Sequence, residues 1–485
     1  MTLFLTQKSK MFNFNYSYLT LPPNFFSLTK PDSFLQHEVF VNNQVLFRDL
    51  QFSSDQEQWT KLLFEKQYHT KSYAQAYAGH QFGHFTKLGD GRAIIIGEHL
   101  SNNNQRFDIQ LKGAGRTIYS RGGDGKATLY AMLREYLISE AMHYLNVSTS
   151  RSLSVIQSGE FIQRKKLEKG GILVRMMKSH LRVGTFEYAA YLGSKEDLQA
   201  LTSYTIRRLY PDLLKDKIPA LSLLKKVMNV QIDLVINWMR VGFIHGVMNT
   251  DNTSISGETF DYGPCAFINT YHPNTCYSSI DHNKRYAFGN QPHIIRWNIL
   301  RFAETLLPII HKNKKQSLVL AQQVIDQFDD IWQKRYYEMM CKKIGIETSN
   351  STHNKMVDDL LKCMQKYQLD YTNTFLNLSQ KNSNENIFSN NDEFLIWHEN
   401  WKKYIEYHSN MDQAKKIMQT YNPIFIPRNH LVENALNNAT EGNLDSFNRL
   451  LNVLSKPYDY QKELDKYIEP CQENFERNYK TYCGT

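Results

Sequence analysis

The sequence predicts an α+β protein of two lobes with a cleft between them: a strand-rich N-terminal lobe, then a mostly helical C-terminal lobe that continues into a helical C-terminal extension. Period-two alternation and glycine-rich turns are concentrated between Gln75 and Lys178, with one clear helical stripe among them. From about Tyr188 onward the apolar periodicity is helical. A polar, turn-rich stretch, His245–Gly263 (HGVMNTDNTSISGETFDYG), interrupts those helices. These shifts divide the chain into an N-terminal wrapping segment (1–60), a strand-rich N-lobe (61–187), a mostly helical C-lobe that contains the turn-rich stretch (188–430) and the extension (431–485).

In the N-lobe, Gly89-Asp90-Gly91 reads as a tight turn and Arg92–Glu98 as the strand leaving it. Glycines beside a strand turn let backbone N–H groups approach a phosphate, although a plain hairpin turn is the simpler reading of this stretch alone. His80 and His84 have the spacing of helical metal ligands, but they lie among glycines, so structural roles are expected. Arg106–Lys112 (RFDIQLK) alternates cleanly, placing Phe107, Ile109 and Leu111 on one face and Asp108, Gln110 and Lys112 on the other. A glycine-rich loop with Arg116, Arg121 and Lys126 follows, offering amides and cations to an anion. Thr128–Leu145 is the helix, with Glu135 at the edge of its apolar stripe. Gly171–Lys178 reads as a buried strand with Arg175 embedded in it, and a charge there needs a partner. Arg175 and Arg182 could clamp a polyphosphate or form structural salt bridges.

In the C-lobe, helices are expected at Val227–Val241, Ile294–His311, Gln316–Ile344, Asn354–Tyr367 and Asp392–Tyr407, with an Asn/Ser-rich surface loop at Ser379–Asn391. Within His245–Gly263, the Asp251-Asn252 pair and Asp261 flank a turn and could converge on one hard cation. That is the arrangement of kinase-type phosphoryl transfer, where a loop Asn and the Asp of an Asp-Phe-Gly motif hold the metal and a strand Lys is oriented by a helix Glu. Lys112 and Glu135 supply such a pair. Aligning His245 with the kinase His-Arg-Asp motif puts the usual base position at Val247, which takes no proton. Asp251 is then the nearest carboxylate able to accept one.

Composition narrows the partners. The 485 residues are 41% hydrophobic and 22% charged, as in an ordinary globular protein, and no run of about 18 apolar residues is present to span a membrane. The net charge of +9 is spread along the chain without a nucleic-acid motif, so a nucleotide is the more economical anionic partner. The six cysteines include no Cys-x-x-Cys, which argues against zinc. Without a recognisable secretory signal, a reducing, cytoplasmic setting and a monomer are expected.

The stretches YAGHQFGHFTKLGDGRA, DIQLKGAGRT, YSRGGDG, REYLISEAMHYL, SHLRVGTFE, GFIHGVMNTDNTSISGETFDYGP, RYAFGNQP and RNHL, spanning Tyr77 to His430, closely resemble the selenoprotein O family, the YdiU-type protein adenylyltransferases. The resemblance implies a bilobal protein-kinase-like fold and AMP transfer from ATP to Ser, Thr or Tyr hydroxyls of proteins, with ATP flipped relative to kinases. It implies nucleotide contacts at Gly89, Gly91, Arg92, Lys112, Asp124, Gly125, Arg175, Arg182 and Asp261. Asn252 and Asp261 are implied as ligands of Mg²⁺ or Mn²⁺, Asp251 as the base and Glu135 as the residue that orients Lys112. Lys126 and Ile118 depart from the Arg and Pro expected around the glycine-rich loop. The family's C-terminal cysteine is loosely matched by Cys483, and a regulatory Cys276–Cys483 disulfide is expected from that likeness. Phosphoryl transfer by a kinase, UMP transfer, and a nucleotide-binding scaffold without activity are the competing functions.

Overall fold

The computed structural model describes residues 14–482 except 35, 51, 53–55, 102 and 380–391. Its N-terminal lobe is one antiparallel sheet. The strands are β1 (Phe14–Asn15), β2 (Phe26–Leu28), β3 (Glu38–Asn42), β4 (Tyr73–Gln75), β7 (Ala93–Leu100), β8 (Arg106–Lys112), β9 (Arg151–Gln163) and β10 (Leu167–Met177). Their spatial order is β2-β4-β7-β8-β10-β9-β3, with β1 also pairing β7. Two further strands, β5 (Ala78–Gln81) and β6 (His84–Lys87), form a separate hairpin. The first 60 residues, expected to wrap a domain, supply β1, β2 and β3, and the last two of these are the sheet's edges.

The alternation in β8 places its side chains as expected. Ile109 and Leu111 face a core closed by Ile94, Ile96, Ile172 and Val174, capped by α1 (Gln44–Asp49) and α2 (Gln56–Phe64) through Phe47 and Trp59. The polar face is not at the surface, however: Asp108, Gln110 and Lys112 are all buried. Lys112 ends β8 opposite Ala93 of β7 and Leu173 of β10, in the middle of the sheet.

Helix α3 (Leu129–Tyr144) starts at Thr128, whose hydroxyl accepts from the Ala131 N–H, and crosses the second face of the sheet. It is buried on nearly all sides, Glu135 included, rather than along one stripe. The reason is that the helices Asn429–Thr440 and Asp445–Leu454 of the extension cover the flank turned away from the sheet. A helix covered from two sides loses the one-faced pattern that the sequence of a surface helix would show.

The C-terminal lobe contains α4 (Val183–Leu192), α5 (Lys195–Leu209), α6 (Pro219–Arg240), α7 (Gln291–Ile310), α8 (Lys314–Ile325) and α9 (Phe328–Lys343). The single helix expected at Gln316–Ile344 is thus two, broken at Asp326-Gln327. The break lets Ile325 and Phe328, on its two sides, both enter the core. Helices Ser351–Lys366 and Asp392–His408 lie close to where periodicity placed them, and the Ser379–Asn391 loop falls, from 380 on, outside the described residues. A short ladder, β11 (Phe243–Ile244) with β12 (Ala266–Phe267), closes the base of the loop that carries residues 245–265. Among the described residues no helix is long and apolar enough to cross a membrane.

Leu133 is fully buried where α3 meets the sheet. Leu133→Ala is expected to lower the thermal unfolding midpoint, at a cost of about 2–5 kcal/mol from lost burial and the residual cavity. An unchanged midpoint in calorimetry would show that α3 does not depend on this seam.

Candidate active site

The loop above the β11–β12 ladder is held by its own polar groups. The His245 ring is buried; its Nε2 lies 3.1 Å from the Phe260 carbonyl and its Nδ1 accepts the Val247 N–H at 3.4 Å. Burial lowers the His245 pKa, so a neutral ring with its proton on Nε2 satisfies both contacts. This histidine ties the start of the loop to the residue before Asp261. The Asn252 side-chain NH₂ donates to the Val247 carbonyl at 3.0 Å, which directs the amide group and leaves its oxygen as the acceptor. Asn298 of α7 donates to the Met248 carbonyl at 3.0 Å and to the Thr253 hydroxyl at 2.8 Å. Asp261 has a left-handed backbone (φ 68°), a conformation that Asp and Asn tolerate better than most residues.

The N-terminal sheet region and the helical region meet at the Lys112 ammonium, which is bonded to Glu135 of α3 and to Asp261. Arg175 Nη1 lies 3.7 Å from the second Glu135 oxygen, and its Nη2 donates to Gln110 at 2.5 Å. Burial alone would raise the Asp261 pKa, but Lys112, Arg175 and Arg92 hold it far below the usual carboxylate range. About a third of the Asp261 side chain (32%) remains exposed.

Arg182, at the start of α4, forms a second cluster beside the first. Its guanidinium lies over the Tyr77 ring at 4.1 Å and the Phe260 ring at 5.1 Å; Arg175 lies 5.3 Å from the same Phe260 ring. It donates to the Asp251 carbonyl at 3.2 Å and approaches Asp90 at 3.7 Å. Three buried guanidinium nitrogens, Arg175 Nε, Arg175 Nη1 and Arg182 Nη2, make no hydrogen bond among the described residues. Buried donors of this kind are costly unless something completes them, and phosphate oxygens match their geometry.

Asp251 is buried, and its Oδ1 also lacks a hydrogen bond among the described residues. Burial pushes its pKa up to about 6, assisted by the Asp261 charge and opposed by Arg182. Gly79 of β5 makes room for it, because a Cβ there would lie 2.6 Å from Oδ1. The hairpin is strapped down by His80, whose Nδ1 lies 2.5 Å from Glu187 of α4, while Glu187 accepts the Thr250 hydroxyl at 2.6 Å. His80 therefore has the structural role expected of it, but on a strand rather than a loop.

The donor set suits a hard divalent cation: one carboxylate, Asp261, and one amide oxygen, Asn252, leave most positions for water and phosphate. Among the described residues no group of three or more His, Cys, Asp or Glu side chains forms a self-sufficient metal cage. With this geometry established, similarity to known proteins is decisive. The family model for "Protein adenylyltransferase SelO" matches residues 9–455. The chain belongs to the SelO family. Relatives named "Protein nucleotidyltransferase YdiU" include those of Clostridium perfringens strain ATCC 13124 (46% identical, 99% of each chain) and Pelagibacter ubique strain HTCC1062 (44% identical, 98% of this chain and 99% of the relative). Another, from Brevibacillus brevis strain 47, is 45% identical over 98% of each chain. This SelO-family chain is accordingly an enzyme of nucleotidyl transfer.

The structure brings together Lys112, Glu135, Arg175, Asp261, Arg182 and Asp251, and the Asp261 field includes Arg92. The glycine-rich segments are arranged differently from an open cradle. The loop after β8 folds back on Gly89–Gly91: the Tyr119 ring occupies the place of a Gly89 Cβ, and a Gly91 Cβ would meet the Tyr119 carbonyl at 2.9 Å. Gly125 (φ 71°) packs on the Gly115 backbone, and Asp124 is engaged by Arg164 at 2.8 and 3.1 Å. Lys126, where an Arg was expected, pairs with Glu160 at 2.7 Å. Asp90, Gln110 and Phe260 also touch these groups, and no motif singles them out; Asp90, between two glycines, reads as a turn residue. Arg134 carries no motif signal either, yet it donates to the Gly263 and Cys265 carbonyls at 3.2 and 2.6 Å and pairs with Glu433 at 3.1 Å. Cys276 is a free thiol whose pKa burial and Asp281 push up to about 11; its expected partner Cys483 lies outside the described residues.

The Asp251 carboxyl gives a signed stability prediction. It is protonated in folded and unfolded chains well below pH 3.8 and ionised in both well above about 6, so its burial costs stability progressively between those values and fully above them. Asp251→Asn removes that cost. The variant is expected to be more stable than wild type by up to about 3 kcal/mol at neutral pH, with the gain gone near pH 4. Thermal midpoints measured across pH check this, and a gain that persists in acid would contradict it.

Proposed function

We propose that this enzyme transfers AMP from ATP to Ser, Thr or Tyr hydroxyls of protein substrates, releasing diphosphate, on a bilobal kinase-like scaffold. The observation that carries this reading is the set of buried guanidinium nitrogens of Arg175 and Arg182 that make no hydrogen bond among the described residues, beside the Lys112–Asp261 pair. A kinase presents its terminal phosphate outward to the acceptor. Cations buried this deeply instead suit a terminal phosphate held inward, with the α-phosphate left towards the acceptor. Val247, buried and aliphatic where a kinase has its base, agrees with that orientation.

Each residue then has a defined task. Arg92, Lys112, Arg175 and Arg182 offset the phosphate charge, and Glu135 fixes the Lys112 ammonium. Gly89, Gly91, Asp124 and Gly125 shape the loop that would border the nucleotide. Asn252 and Asp261 would hold Mg²⁺ or Mn²⁺, which supplies charge neutralisation at the phosphates when bound. The acceptor hydroxyl oxygen forms its bond to the α-phosphorus while the bond to the bridging oxygen of diphosphate breaks. The hydroxyl proton passes to the Asp251 carboxylate, whose pKa near 6 leaves it ionised and still basic at neutral pH.

ATP labelled separately at its α and γ positions tests the reading directly: α-label on protein is expected, and γ-label would make the enzyme a kinase. Asp261→Ala is expected to abolish transfer through loss of a metal ligand. Asp251→Ala should slow turnover by about 10²–10⁴-fold while sparing ATP affinity. In wild type, kcat should fall below about pH 6 as Asp251 takes up its proton. The same profile in Asp251→Ala would remove it as the base.

A further inference from the structure

A cavity of about 590 Å³ lies at the far end of β8 from Lys112, between the β7–β8 turn and the C-terminal end of α5. Its volume falls in the range of small-molecule sites. Four cations line it: Arg106, Lys178, Arg207 and Arg208. Two buried acids stand behind them. Glu98 accepts from Arg106 at 2.5 Å and lies 3.1 Å from Arg208, and Asp108 accepts from Arg208 at 2.5 Å. Those pairs balance Arg106 and Arg208. Lys178 and Arg207 are exposed at the mouth, and neither side chain makes a hydrogen bond or ion pair among the described residues. Buried Glu258 takes the Lys178 backbone N–H at 3.0 Å and also feels the Lys178 charge, while its burial pushes its pKa up to about 7 and so weakens it as a counter-charge. Phe107, Leu209 and Pro211 give the same cavity an apolar wall.

We propose that this cavity is a second ligand site, for a small phosphorylated molecule bearing an apolar or aromatic group, and that its occupancy is coupled to the cleft. Lys178 and Arg207 supply the excess positive charge for the phosphate, and the apolar wall takes the rest of the molecule. The link to the cleft is continuous. Arg208 holds Asp108; Asp108 accepts the His180 N–H at 2.8 Å and lies 3.1 Å from His180 Nδ1; the His180 carbonyl accepts Arg182 Nε at 3.2 Å. Arg182 in turn donates to the Asp251 carbonyl. A phosphate that draws Arg208 outward loosens its hold on Asp108 and, through His180, the seat of Arg182.

Phenyl phosphate, titrated calorimetrically into the full chain, tests the site without relying on AMP transfer. One binding event is expected, weakened at least about tenfold in Lys178→Glu/Arg207→Glu and retained in Arg175→Ala. With phenyl phosphate near saturation, the affinity for a non-hydrolysable ATP analogue should change about fivefold or more in wild type and stay constant in the double variant. Both substituted positions are exposed, so the fold should persist; Lys178→Gln/Arg207→Gln, which removes charge without reversing it, is expected to give an intermediate loss. Absence of binding, binding equally strong in the double variant, or equal competition with the ATP analogue in both proteins would overturn the proposal.

Discussion

The Lys112 ammonium, shared between Glu135 and Asp261, is the contact on which the rest of the site depends. It joins a strand in the centre of one sheet, a helix crossing that sheet and a loop of the helical lobe. Buried ions are costly when unpaired, so each partner constrains the others. Remove Glu135, and Lys112 and Arg175 lose a shared counter-charge; remove Lys112, and two acids face each other across the cleft. The architecture around it supplies near balance: Lys112 and Arg175 against Glu135 and Asp261, with Arg182 set against Asp90 one residue layer away.

That balance requires α3 to stay where Glu135 can reach. Apolar packing on the sheet provides most of the hold, and Arg134 gives it direction. From the position next to Glu135, Arg134 grips the Gly263 and Cys265 carbonyls just beyond Asp261, and also Glu433 and the Tyr479 hydroxyl. The same helix thus orients the lysine with one side chain and positions the loop that carries Asp261 with the next. The extension is part of this arrangement: Tyr130 and Tyr479 both bond to Glu433, and the Thr481 hydroxyl donates to the Pro264 carbonyl at 2.8 Å.

Much of this was legible in the residues themselves. The alternation in Arg106–Lys112 correctly separated Lys112 from Ile109 and Leu111, because a strand's period leaves no freedom once one face is assigned. The turn-rich break at His245–Gly263 stood out because its neighbours are strongly helical. What was hidden follows from the same physics. The burial of the polar face of β8 is one such feature, since nothing local reveals that Asp108 and Gln110 are enclosed with partners such as Arg208 and Arg175, distant in sequence. Asp326-Gln327 breaks a helix with residues that helices accept, so the break follows from where Ile325 and Phe328 find their core. Glycines at 89, 91 and 125 read locally as turn residues, and what each admits, the Tyr119 ring or neighbouring backbone, comes from segments whose approach the sequence does not display.

The pairing of Thr481 with Ser278, together with the Tyr479–Arg134 contact, orders events in time as well as in space. Residues 479–481 are synthesised after every other part of the cleft. A chain still on the ribosome therefore lacks the last tether on α3 and on the Gly263–Cys265 segment, and its lysine, glutamate and aspartate come together under full restraint only once synthesis has passed that point.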